Sequence, residues 1–415
     1  MTSTIKPMPV EDIDAFATIA ANAYPVIDIA KPEDRQLYVE RLSEVQRTRP
    51  HVQLYGCYRD GALVGGMRFF DFTMTVFEAQ LLVGGVGMVA VDLLHKKERI
   101  AKDMIGAFLR HYRDRGATLT SLYPFRTDFY RQMGFGYGTK MHRYSLRPAQ
   151  LPSGDKRGLA FLTAEDKPAV LECYNRFAAR THGMIQREAV LIDLLFGNPE
   201  ARIVGYRRDG ELRGYMAFVY RKGKTFIQND IDVTELVYED RAALGALMTF
   251  LRTQADQISQ VIIHTQDAYF YQLPLDPRNG SENLMPHAYH ESHASGVGLM
   301  YRVVDTVGLF RALAGHDFGG QTCRLRLVVK DSFLPENAGT LDLRFEGGRV
   351  SLEDAGEVDA EIRLGVAELS SLVMGTVPFS RLYLYGQAEI SDPALVPTVT
   401  RVFQADEPPV CMTRF

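Results

Sequence analysis

The feature that most constrains this chain is that it repeats itself. Arg59-Asp-Gly-Ala-Leu-Val-Gly-Gly-Met-Arg-Phe69 matches Arg208-Asp-Gly-Glu-Leu-Arg-Gly-Tyr-Met-Ala-Phe218, and Val91–Arg110 matches Val233–Arg252 over equal length. The offsets are 149 and 142 residues, so the connections between the two landmarks differ by seven. A period of that size marks a copied domain, not a short-repeat solenoid. The boundaries read from this are 1–148 for the first copy, 149–293 for a second, degenerate copy, and 294–415 for a smaller domain of another kind.

Within the first copy, helix and strand signals alternate. Ile13, Phe16, Ala20 and Ala23 mark one helical face, and Pro25 follows it. Asp34–Arg47 reads as a second, mostly polar helix. Val52–Tyr58 and Ala62–Phe72 flank Asp60-Gly61, a strong hairpin signal, and Ala79–Val91 follows as a third strand. Ile100, Met104, Ile105, Phe108 and Tyr112 then recur at helical spacing, Gly116 stops the helix, and Thr118–Tyr123 returns as a strand. A strand–helix–strand order predicts a parallel pair with a right-handed crossover. The fold class is therefore α/β with α+β: tandem mixed sheets with helices on their faces, then a small α+β domain. In that domain Thr306–Ala314 and Leu364–Met374 read as helices, and Cys323–Lys330, Thr340–Phe345 and Arg349–Glu353 as strands.

Composition excludes several roles. A net charge of −4 gives no basic field for nucleic acid. No apolar run reaches the roughly 20 residues that span a bilayer, and the opening Met1–Pro7 has no signal-peptide core, so a cytoplasmic protein is expected. The four cysteines are scattered without metal-ligand spacing, and no metal is expected.

The repeat also supplies a contrast. In the first copy the helix start carries His95, Lys96, Lys97, Arg99 and Lys102, and the second reads Val237-Tyr238-Glu239-Asp240-Arg241. Cations at a helix N-terminus oppose its dipole. A bound polyanion, held by free backbone N–H groups and side chains together, removes that conflict. The acidic twin shows that the fold itself does not require lysines there.

After the next strand comes Phe129-Tyr130-Arg131-Gln132-Met133-Gly134-Phe135. This block is similar to the F-Y-x-x-x-G-F segment of the Gcn5-related N-acetyltransferases (GNAT), and the basic turn sits where those enzymes hold the pyrophosphate of acetyl-CoA. Two such domains followed by a small α+β domain resemble the Eis ("enhanced intracellular survival") acetyltransferases, whose third domain is similar to sterol carrier proteins. The resemblance covers the whole chain. It implies acetyl-CoA as acyl donor and a primary amine as acceptor, aminoglycoside-like or lysine-like. It also implies a homohexamer. Pantetheine contacts fall on Val89, Ala90 and Val91, and the pyrophosphate turn on Lys97, Glu98, Arg99, Ile100, Ala101 and Lys102. Phe125 and Arg126 line the cofactor, Tyr130 is the general acid, and the carboxylate of the terminal Phe415 is the general base.

The chemistry implied is coherent. An amine attacks a thioester only as the neutral base, so its ammonium form must first lose a proton to a nearby carboxylate. A phenol of pKa about 10 serves as proton donor to a departing thiolate. One departure stands out: Arg99 occupies the position where the family turn carries glycine. It either adds a bidentate phosphate contact or obstructs the cofactor. The competing reading is a non-catalytic protein that kept the fold and binds an acyl-CoA, another anion or a lipid. Asp230 and Asp232 in the second copy are weaker candidates for contact with a cationic substrate.

Overall fold

The computed structural model describes residues 3–223 and 228–415, so Met1 and Thr2 of the opening segment lie outside it. The chain divides into two compact units: residues 1–138, 298–409 and 414–415 form one, and residues 139–297 with 410–413 the other.

The first unit begins with strand β1 (Thr4–Pro7), helix α1 (Ile13–Ala23) and helix α2 (Pro32–Thr48). An antiparallel set follows: β2 (Val52–Arg59), β3 (Ala62–Val76) and β4 (Ala79–Val91). The β2–β3 turn holds Asp60 at φ 49° and Gly61 at φ 82°, as the Asp-Gly signal predicts for a turn with both central residues left-handed. Helix α3 (Ile100–Asp114) crosses over to β5 (Leu119–Leu122), which runs parallel to β4. Its inner face buries Ile100, Met104, Ile105, Phe108, Leu109 and Tyr112. Burying an aromatic or aliphatic side chain of this size stabilises by about 1.5–3 kcal/mol each. The Tyr112 hydroxyl donates to Asp71 at 2.7 Å, and Arg115 grips both oxygens of the same carboxylate. These bonds lock the end of α3 to β3. Helix α4 (Thr127–Arg131) and the short β6 (Gly136–Tyr137) complete this stretch.

The second unit holds β7 (Met141–Leu146), β8 (Leu159–Phe161), α5 (Lys167–Ala178), α6 (Ala189–Phe196), β9 (Arg202–Arg208), β10 (Glu211–Arg221), β11 (Asn229–Tyr238), α7 (Arg241–Arg252) and β12 (Ile258–Thr265). A small hairpin, β13 (Leu284–Met285) with β14 (Tyr289–His290), and the edge strand β15 (His293–Gly296) follow. The sheet order is β15-β7-β12-β11-β10-β9-β8. The duplication is visible in detail: Asp209 and Gly210 turn at φ 54° and 82°, matching Asp60 and Gly61. Beside α5 a buried network holds the late residues of the chain. Arg187 grips Glu235 at 2.7–2.8 Å and lies 3.9 Å over the Tyr174 ring, while Tyr174 shares a hydrogen bond with Thr413 at 3.1 Å. Val410 and Cys411 add backbone bonds to the His182 carbonyl and the Gln266 side chain.

The rest of the first unit comes from the far end of the chain. Strand β16 (Met300–Val303) inserts between β5 and β6, giving the order β1-β2-β3-β4-β5-β16-β6. Then come α8 (Thr306–Ala312), β17 (Cys323–Lys330), β18 (Gly339–Glu346), β19 (Arg349–Glu353), β20 (Ala360–Gly365), α9 (Val366–Val373), α10 (Phe379–Leu384), β21 (Ala388–Ile390) and α11 (Val396–Val402). Leu364, expected to open a helix, instead lies in β20, and the helix begins two residues later. The small sheet has the order β19-β18-β17-β20-β21. A fully buried Arg302 on β16 grips both oxygens of Asp331 at 2.9 Å and bonds the Met133 carbonyl at 2.7 Å. Breaking such a pair from one side costs about 3–5 kcal/mol, because it strands a buried charge.

Candidate active site

The site is built on the end of β4. Gly66 pairs with Ala90 and Arg68 with Gly87, so Met67 faces two residues, Met88 and Val89. That is a bulge, with Met88 at φ 50°. Parallel pairing with β5 stops at Val86–Leu122, while β4 continues to Val91. The backbone from Gly87 onward is thereby released from β5, and Val89, Ala90 and Val91 lie along it. Ala90 itself is fully buried. The Val89 carbonyl is occupied by the Tyr24 hydroxyl at 2.9 Å.

Thirteen residues separate Val86 from the first residue of α3, and the basic turn lies among them. Lys97 and Arg99 both adopt left-handed backbone, φ 69° and 65°. Arg99 is the N-cap of α3, and no side chain caps the helix there. The first N–H groups of the helix are therefore open. A non-glycine residue in this conformation costs about 1–2 kcal/mol. The glycine position thus keeps a glycine-like backbone with an arginine side chain exposed on it. Glu98 turns elsewhere: it pairs with Arg59 and His95, and Arg59 also bonds its carbonyl at 3.0 Å. Ile100 is buried in the core, while Ala101 and Lys102 are half-buried in the first turn of α3.

After β5, Phe125 and Arg126 precede α4. Phe125 is 63% exposed with its ring against Phe129 and Tyr130, and Arg126 is paired with Asp128. Tyr130 is buried between Phe125, Phe129 and Phe135. Burial, aided by the neighbouring Tyr24 phenol, pushes its pKa well above the ordinary tyrosine value. Phe415 sits on the opposite flank of the bulge. Its ring packs against Phe70, Phe72 and Tyr123, and its carboxyl carbon lies 3.3 Å from where a Gly87 side chain would start. Glycine at 85 and 87 is what leaves this room, since a Cβ at Gly85 would also press on the Phe415 ring.

The structure thus gathers the bulge, the open turn, Tyr130 and Phe415 in one unit. Sequence reading missed Tyr24 and the Phe70–Phe72–Tyr123 seat. The i, i+2 spacing of Phe70 and Phe72 on one strand face was the available signal. The weaker candidate Asp232 is buried against Arg221 and His264, and Asp230 accepts the Gln260 amide, so both are engaged within their own sheet.

Residues 4–138 match an acetyltransferase (GNAT) domain family, residues 183–303 a second acetyltransferase (GNAT) domain family, and residues 309–412 the sterol carrier protein domain. A GCN5-related N-acetyltransferase from Anabaena variabilis superposes with a TM-score of 0.81 at 18% identity, over 100% of both chains. One from Kribbella flavida gives 0.78 at 19%, over 100% of this chain and 98% of that one. Eis1 from Mycobacterium abscessus gives 0.77 at 19%, over 100% of both. No curated protein matches the chain. The chain thus carries two acetyltransferase (GNAT) domains in tandem with a sterol carrier domain behind them, in a fold shared along its full length with Eis1 and the two GCN5-related N-acetyltransferases.

Proposed function

We propose that the first-copy site transfers an acetyl group from acetyl-CoA to a primary amine, on a small molecule or a lysine. The observation that carries this reading is the Phe415 carboxyl beside Gly87, at the bulge where β4 parts from β5. The residues fit the donor. Freed backbone at Val89–Val91 suits the amide-rich pantetheine arm, with the Tyr24 hydroxyl yielding the Val89 carbonyl. The uncapped start of α3, flanked by Lys97, Arg99 and Lys102, suits the pyrophosphate. Phe125 and Arg126 stand at the rim.

Bound acetyl-CoA supplies an activated acyl thioester. The Phe415 carboxylate takes a proton from the incoming ammonium, so that the free amine attacks. The Tyr130 phenol donates to the departing sulfur. Its raised pKa makes it a reluctant acid in water, but the burial that raises it also raises the proton affinity of a thiolate leaving in the same place. A thiol-release assay with an amine panel tests the reading: turnover by the full chain, lost on deletion of Phe415, supports it. Equal turnover without Phe415 removes the terminal carboxylate from the mechanism.

A further inference from the structure

Arginines are seldom left without partners inside a protein. Arg68 and Arg49 have few: the Arg68 guanidinium stands over the Phe70 ring, 6.0 Å from its centre. Neither guanidinium forms a hydrogen bond or ion pair among the described residues, and the Nε of each is sealed from solvent with no acceptor. A shielded donor without a partner costs about 1–3 kcal/mol, and more when charged.

Their place in the fold locates the opportunity. Leu54, Arg68 and Gly87 are successive cross-strand partners on β2, β3 and β4, so they share one face of the sheet. Leu54 packs there against Phe16, Leu42 and Tyr38 of α1 and α2. Arg49 closes the end of α2, directly before β2. Along β3 the same face carries Phe70 and Phe72, which hold the Phe415 ring. Arg68 is therefore the side chain next in line to the Phe415 carboxyl, and makes no ion pair with it among the described residues. Arg49 acts on Arg68 as a like charge, and Tyr38 is the polar neighbour. Two neighbouring cations that pair with no Asp or Glu among the described residues are what a further anion relieves, and a guanidinium fork matches a carboxylate or phosphate in two-point contact.

We propose that Arg68, with Arg49 beside it, docks an anionic group of the acceptor, so that the acceptor is an amine bearing a carboxylate or phosphate and not a polycation. The inference rests on the acetyl-transfer reading for the location of the amine. An acceptor anion held there leaves its amine end free to reach Phe415. An aminoglycoside-like polycation brings like charge to the same face.

Binding of acetylated products tests this without turnover. The probes are N-acetylglycine, N-acetyl-O-phosphoethanolamine and the neutral N-acetylglycinamide, titrated by calorimetry into the full chain saturated with CoA. The expected result is binding of one anionic probe about tenfold or more tighter than the neutral one, and which anion wins distinguishes carboxylate from phosphate. Arg68→Gln removes that preference, Arg68→Lys restores part of it, and both keep the CoA affinity of the parent, which reports an intact fold. Equal or undetectable binding of all three probes overturns the proposal, as does an equal effect of Arg68→Gln on charged and neutral probes. Loss of turnover with an intact anion preference counts against the acetyl-transfer reading alone.

Discussion

The two copies differ most where their crossover helices begin. In the second, seven residues link the last parallel pair, Val233–Ile263, to α7. Asp240 accepts the Ala243 N–H at 2.9 Å and also pairs with Arg208, so this helix start is closed by its own carboxylate. In the first, thirteen residues intervene, two of them left-handed, and α3 has no side-chain cap. The arginine of the Asp-Gly hairpin pairs with an acid in both copies: Arg59 with Glu98, Arg208 with Asp240. The inherited ion pair is thus kept, while the acid's second task is not. In one copy it plugs the helix; in the other it is drawn aside and leaves the amides and cations open. The same turn is a closed helix start in one copy and an uncapped one, flanked by cations, in the other.

Removing what the first copy has and the second lacks is the strongest way to break this comparison. Deleting Phe415 is expected to lower turnover about 10²–10⁴-fold, the usual contribution of a positioned base, with acetyl-CoA affinity nearly unchanged. Substituting Gly87 with valine should lower turnover in the same direction, because its side chain would start 3.3 Å from the carboxyl carbon and press on it. Steady-state kinetics beside calorimetry reads both.

Tyr130→Phe comes next, with an expected fall of about 10²-fold in kcat and little change in KM for acetyl-CoA. The direction of its pKa sets the pH profile. A raised value keeps the phenol protonated, so it contributes no descending limb below about pH 10. Its contribution to stability is likewise present below that pH and lost only as pH rises through the higher folded value. A tyrosine-dependent decline between pH 7 and 9 that vanishes in Tyr130→Phe would contradict this.

Effects at the turns are smaller. Lys97→Ala or Lys102→Ala should weaken acetyl-CoA about tenfold, more at low salt than at high salt. Arg99→Gly sharpens the contrast, since it relieves about 1 kcal/mol of backbone cost while deleting a cation. It should raise the melting temperature slightly and still weaken acetyl-CoA. Asp240→Ala should do the reverse of a ligand effect: it loses a helix cap, about 1 kcal/mol of stability, and leaves acetyl-CoA binding as it was.

Much of this was legible in the sequence. The Asp60-Gly61 and Asp209-Gly210 turns, the helical spacing of Ile100 to Tyr112, and the basic-against-acidic contrast are local signals, and local signals survive in a bare string of residues. The long-range choices were not. Met300–Val303 joins a sheet whose other strands lie within the first 137 residues, and nothing in its own pattern names that partner. Arg302 reads as a surface residue until Asp331 and the Met133 carbonyl are seen around it. Tyr24 ends α1 just before Pro25, and its bond to Val89 depends on a bulge that only strand register defines. The seat of Phe415 is of the same kind, since it needs two glycines on one strand and two phenylalanines on the next to face each other.

The central claim is that the open turn of the first copy, and not the closed turn of the second, holds the donor. Titrating acetyl-CoA calorimetrically into the full chain tests it most directly, alongside a Lys97→Glu, Arg99→Glu, Lys102→Glu variant and an Asp240→Ser variant. We expect one site per chain, lost in the triple variant and unchanged in Asp240→Ser. Two sites per chain, or binding that survives the triple variant, would contradict it.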